Sequence, residues 1–119
     1  MSREKKNFGD WGETLAAEFL KRHGFEIIER NYHTTLGEID IVARKSGDFY
    51  FIEVKTRRPG GLANDLSITE SKKKKMFRTV KAYCYSRGIG DNFGLVLAGL
   101  LAVWNEETRK MSFRLAVFI

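Results

Sequence analysis

Gly37-Glu38-Ile39-Asp40-Ile41-Val42-Ala43, followed after a short break by Phe49-Tyr50-Phe51-Ile52-Glu53-Val54-Lys55-Thr56-Arg57, is the stretch whose reading decides the fold. Both runs alternate with the period of two expected of half-buried strands. Each also carries carboxylates where a core strand would avoid them. The intervening Lys45-Ser46-Gly47-Asp48 is a turn-forming cluster, so the two runs are predicted to pair as an antiparallel hairpin.

A turn centred on Ser46-Gly47 places Asp40 opposite Glu53 and Glu38 opposite Lys55. In this register Glu38, Asp40 and Val42 share a face with Phe51, Glu53 and Lys55, and Ile39, Ile41, Ile52 and Val54 take the other. Two directly opposed carboxylates repel unless a cation lies between them, and a divalent metal would supply it. The bland alternative is a pair of cross-strand charge contacts on a wet sheet face, with Lys55 neutralising a carboxylate.

Working towards the N-terminus, Phe25 to Asn31 reads as a first strand, joined to the hairpin through a polar loop, His33-Thr34-Thr35-Leu36-Gly37. His33 is placed either to touch a substrate phosphate or simply to face water. Before it, a helix is expected from Asn7 to His23, capped by Asn7 and ended by Gly24. Phe8, Trp11, Leu15 and Phe19 are its predicted buried stripe. Glu13 lies off that stripe among Gly9, Ala16, Ala17 and Leu20, which makes it either a cleft-facing carboxylate or an acid favoured by the helix dipole.

Towards the C-terminus, Pro59-Gly60-Gly61 ends the third strand near Arg57, and Leu62 to Leu66 is loop by composition, placed to move over a bound substrate. Thr69 is the expected cap of a second helix reaching Arg87, with Gly88 as its stop and Met76, Val80, Tyr83 and Cys84 as its buried stripe. Lys72-Lys73-Lys74-Lys75 occupies the first turns, where the dipole disfavours cations. Either a phosphate bound by lysines and helix amides compensates, or the run is a solvated face. Phe93 to Trp104 suits a central strand covered on both faces, or one bulged at Gly99, and Met111 to Ile119 a closing antiparallel strand.

The chain has 119 residues, 43% of them hydrophobic, enough for one compact domain with a real core. A net charge of +6 and a pI of about 9.6 suit a nucleic-acid partner. The single cysteine, Cys84, excludes an internal disulfide and a cysteine-built zinc site, and its apolar neighbours mark it as a core residue. The charged N-terminus lacks the apolar run of a secretory signal, and Leu95 to Trp104 is too short to span a bilayer. A cytoplasmic protein without membrane contact is expected.

The order helix with Glu13, strand with Asp40, strand with Glu53-Val54-Lys55, then basic helix resembles the restriction-endonuclease-like fold. More narrowly, Gly12-Glu13, Ala16-Ala17, Arg30-Asn31-Tyr32, Gly37-Glu38-Ile39-Asp40 and Glu53-Val54-Lys55-Thr56-Arg57 are similar to the YraN-like family of bacterial proteins, itself similar to Holliday junction resolvases. The resemblance covers roughly the first 85 residues. It implies an α/β architecture, a central mixed sheet flanked by helices in the order α-β-β-β-α-β-β. It also implies that Asp40 and Glu53 hold Mg²⁺ or Mn²⁺, with the Val54 carbonyl as a further ligand and Glu13 reaching the site directly or through water. Lys55 would orient or deprotonate the attacking water. Arg57, Arg58, Lys72 and Lys75 are the candidate nucleic-acid contacts. The implied activity is a structure-selective DNA endonuclease for branched DNA, a homodimer because symmetric cutting of a junction needs two related sites. The alternative is a non-catalytic nucleic-acid-binding module on the same fold. That alternative draws support from Asn92-Phe93-Gly94, which stands where the family usually has Arg-Phe-Asp.

Overall fold

A computed structural model describes residues 3–60 and 68–118. The elements run α1 (Arg3–Arg22), β1 (Glu26–Thr34), β2 (Gly37–Lys45), β3 (Asp48–Arg57), α2 (Glu70–Arg87), β4 (Gly94–Asn105) and β5 (Lys110–Val117). This is the expected α-β-β-β-α-β-β order, and the five strands form one mixed sheet in the order β1-β2-β3-β4-β5. All neighbours are antiparallel except β3 and β4, which run parallel with α2 as their crossover. The expected substrate-covering segment, Leu62 to Leu66, lies outside the described residues.

The β2–β3 hairpin turns at Ser46 and Gly47, both at positive φ (52° and 84°), the backbone twist that suits a two-residue hairpin turn. Its ladder follows the predicted register from Lys45–Asp48 to Ile41–Ile52 and stops there. The opposed pairs Asp40–Glu53 and Glu38–Lys55 therefore do not form as ladder partners. The β1–β2 ladder also skips this point, passing from Arg30–Ile41 to Tyr32–Ile39. Asn31, which would face Asp40, has φ 55°, a left-handed conformation that asparagine tolerates better than most residues. The alternation of β2 breaks at the same place. Ile41 and Ala43 join one core cluster while Ile39 joins the other with Val42 and Phe51, which corrects its predicted face.

Several boundaries also shift. β1 extends to Thr34, so the link to β2 is the short Thr35-Leu36 turn rather than the longer polar loop. Of the two alternatives for β4, the bulge at Gly99 does not form, since Gly99 pairs in register with both Glu53 and Ala116. An irregularity lies instead in β1, between Ile27 and Glu29. β4 is covered as expected, with Leu97 to Ala102 all buried.

The helices lie on opposite faces of the sheet. α2 places Met76, Val80, Tyr83 and Cys84 against Val42, Phe49, Phe51 and Leu97. Its caps are as predicted: the Thr69 hydroxyl accepts the Lys72 amide at 3.1 Å, and Gly88 closes the C-terminus at φ 67°. Burial pushes the Cys84 thiol up from its ordinary pKa, in keeping with a core residue rather than a nucleophile.

α1 begins at Arg3 rather than after an Asn7 cap, and its buried stripe differs from the predicted one. Gly12, Glu13, Ala16, Ala17 and Leu20 are buried, whereas Trp11 is exposed and Phe8, Leu15 and Phe19 are half-buried. α1 approaches the sheet closely, and its small residues take the contact face. At Gly12 the approach is closest, because a Cβ there would overlap the Thr56 side chain. Gly12→Ala is accordingly expected to cost about 1–3 kcal/mol through overpacking. Gly9→Ala, where a Cβ meets nothing within 4 Å, should gain about 0.5–1 kcal/mol from helix propensity. Urea denaturation of the two variants beside wild type checks both signs.

Candidate functional site

The interrupted ladder at Asp40 builds the site. Freed from both neighbouring strands, β2 turns the Asp40 carboxylate onto the backbone of β3, where Oδ2 accepts the Val54 N–H at 2.8 Å. A cavity of about 490 Å³ opens here, lined on the sheet side by Glu38, Ile39, Asp40, Ile52 and Glu53. Lys72, Lys75, Met76 and Thr79 of α2 line it as well, with His33, Thr34 and Thr35 of the β1–β2 turn at its rim. Carboxylates from two strands thus share one cavity with lysines from a helix.

The Asp40 carboxyl is pushed up from 3.8 to about 6. Burial is the leading cause, and the negative charges of Glu13, Glu53 and Glu38 add to it, while the Val54 N–H bond works against them. Glu13, 8% exposed on the small-residue face of α1, is held by Arg30, whose Nε and one terminal nitrogen donate to its Oε1 at 3.3 and 3.2 Å. Glu38 pairs with His33 Nδ1 at 3.0 Å.

Not every expected residue converges. Asp40, Glu53, Lys72 and Lys75 line the cavity. Glu13 acts on Asp40 through its charge, and Val54 through its amide. Lys55 is half-buried two positions beyond Glu53 along β3 and is not among the lining residues. Arg57 turns back to the Thr56 carbonyl at 2.9 Å, and Arg58 stacks over Phe8 with its guanidinium 4.5 Å from the ring centre. The expected anion site on the amides of α2 is narrowed, because the Lys72 and Lys73 amides already donate to Thr69. The lysine side chains that line the cavity remain to meet an anion there.

Arg30 is the residue sequence reasoning missed. It appeared only as part of a family motif, whereas its position on β1, skipping across to α1, makes it the counter-ion of Glu13. A glutamate among the small residues of a helix face was the available signal, since a buried charge needs a partner.

Among the described residues no three His, Cys, Asp or Glu side chains converge closely enough to hold a metal ion by themselves. The donor chemistry still fits Mg²⁺ or Mn²⁺. Such ions are commonly held by one or two carboxylates, with water and phosphate oxygens completing the shell, and Asp40 and Glu53 are two hard oxygen donors in one cavity.

The family model described as "Uncharacterised protein family UPF0102" matches residues 12–111, a span that contains Glu13, Asp40, Glu53, Lys72 and Lys75. The chain belongs to this family. A UPF0102 protein of Roseiflexus castenholzii is 42% identical over 95 residues, covering 77% of this chain and 75% of its own. One from Brachyspira hyodysenteriae is 37% identical over 118 residues, covering 97% and 98%. One from Clostridium botulinum is 41% identical over 90 residues, covering 74% and 72%. Within this UPF0102 chain, the divergent Asn92-Phe93-Gly94 lies at the Asp48 end of β3. That is five ladder positions from Glu53, and a Cβ at Gly94 would press on the Asp48 carboxylate. None of these three residues lines the cavity.

Two outcomes are expected for the strands that frame the cavity. The rise of Asp40 from 3.8 to about 6 corresponds to about 3 kcal/mol. Because the folded pKa lies above the unfolded one, this stability is present below about pH 4 and lost as pH rises through 6. Asp40→Asn keeps an acceptor for the Val54 amide and removes the charge. It should exceed wild type in stability at pH 8 by up to that amount, the gap closing by pH 4, as read by denaturation across pH. At the facing position, Asn31→Gly should be tolerated, whereas Asn31→Val should cost about 1–3 kcal/mol because a branched residue resists positive φ. Thermal melts of the pair test it.

Proposed function

We propose that this protein is a metal-dependent nuclease that hydrolyses DNA phosphodiester bonds, with branched DNA as its substrate. The observation that carries the reading is the single cavity in which Asp40 and Glu53 face the same space as Lys72 and Lys75. Carboxylates that repel one another favour a bound cation, and lysines favour the phosphate that would share it.

Asp40 and Glu53 would hold Mg²⁺ or Mn²⁺, which when bound supplies Lewis-acid polarisation of the phosphate and an acidified water. Asp40 is oriented for this by the Val54 amide. Lys72 and Lys75 neutralise and position the substrate phosphate from the opposite wall. Lys55, on the same strand as Glu53, is the cation assigned to orient the attacking water and offset charge building on the phosphate. Glu13, with Glu53 and Glu38, adds negative charge around the buried Asp40, and Arg30 pairs with Glu13.

A second reading, a non-catalytic nucleic-acid-binding module, is favoured by the Arg30–Glu13 pair, which commits a third carboxylate to a protein counter-ion. Cleavage assays separate the two. Junction, flap and single-stranded DNA incubated with Mn²⁺ should be cut by wild type and at least 100-fold more slowly by Asp40→Ala or Lys55→Ala. Cutting that survives both substitutions sinks the assigned site, and binding without cutting by wild type selects the module. In addition, Lys72→Ala combined with Lys75→Ala should weaken DNA binding and reduce the slope of log affinity against log salt by about 2. Fluorescence anisotropy over a salt series measures that slope.

A further inference from the structure

We propose that Phe8, Trp11, Trp104 and Arg58 form a stacking platform for the unpaired bases of a single-stranded polynucleotide. The proposal concerns a surface outside the carboxylate cavity and stands whether or not that cavity cuts DNA. Trp11 and Trp104 meet edge to face with ring centres 4.9 Å apart, Phe8 lies 6.1 Å from Trp11, and the Arg58 guanidinium covers Phe8 at 4.5 Å.

These rings are not needed to seat α1. Gly12, Ala16, Ala17 and Leu20 make its buried contact, and at the other end Phe19 stacks on Phe113 against the core cluster. Trp11, by contrast, keeps 39% of its surface exposed, and Phe8 and Trp104 are half-buried beside it. Large aromatic surface left in water is costly unless something covers it. The charge around it selects the occupant. At this end the exposed cations Arg3, Lys5, Lys6, Arg58, Arg109 and Lys110 outnumber the exposed acids Glu4, Asp10, Glu106 and Glu107, and Asp10 is held by Lys6 at 3.0 Å. Aromatic faces interleaved with guanidinium groups suit bases joined by phosphates. A duplex hides its base faces, so the occupant must be unpaired.

The platform sits on the α1 face of the sheet, apart from the cavity, whose lining comes from β2, β3, α2 and the β1–β2 turn.

Trp11 and Trp104 are the only tryptophans in the chain, so tryptophan emission excited selectively over tyrosine reports on this surface. Titration with a 12-nucleotide oligo(dT) should quench it, and an abasic oligomer of equal length and charge should quench little and bind about 10-fold more weakly. Trp11→Ala should lower oligo(dT) affinity about 10-fold by anisotropy, Trp11→Phe should largely restore it, and Arg58→Ala should weaken it. Equal affinity for the abasic oligomer overturns the proposal without any variant. So does oligo(dT) affinity unchanged in Trp11→Ala, or a Trp11→Ala variant that loses only self-association in sedimentation, which would make the patch a protein interface.

Discussion

The bond from the Val54 amide to Asp40 Oδ2 is the constraint on which the rest of the site depends. A sheet normally satisfies every internal amide through its ladders. Here the β2–β3 ladder ends at Ile41–Ile52, and a side chain takes over from the missing backbone acceptor. The exchange ties a carboxylate to a rigid strand while leaving its second oxygen oriented by the fold rather than by solvent. It also explains why the charge is tolerated despite its burial: the amide offsets part of the desolvation and repulsion that raise the Asp40 pKa.

Around that bond the protein sets two kinds of electrostatic compensation. Glu13 and Glu38 have protein partners, Arg30 and His33, that hold them in place. Across the cavity, Lys72 and Lys75 stand near the N-terminus of a helix whose Lys72 and Lys73 amides donate to Thr69. Their positive charge is therefore unfavourable for α2 taken alone and favourable for the cavity as a whole. A local rule broken at one element and made good at another is what a functional surface is expected to look like.

Much of this was legible in the sequence where local chemistry decides the outcome. Ser46-Gly47 set the hairpin register, and Thr69 and Gly88 bounded α2, because turns and caps depend on a few adjacent residues. The buried face of α1 was not legible from apolarity alone. α1 lies so close to β3 that a Cβ at Gly12 would overlap Thr56, so on this helix Gly12 and Ala16 outweighed Phe8 and Trp11. The interruption at Asp40 was hidden for another reason: it needs the left-handed Asn31 on β1, a cooperation between strands that no alternation pattern within β2 reveals.

The parallel pairing of β3 with β4 bears on how the chain assembles. Each of the other three ladders joins strands linked by a short turn, whereas Glu53 meets Gly99 and Arg57 meets Val103 only after the whole of α2 has been crossed. The β1–β2–β3 meander is thus the local, rapidly formed half, and closure onto β4 carries the long-loop entropy and sets the pace of folding. The acidic side chains are brought together by that early half. The lysines arrive with the crossover, so the repulsion within the cavity is met during folding before the opposite wall that relieves it is in place.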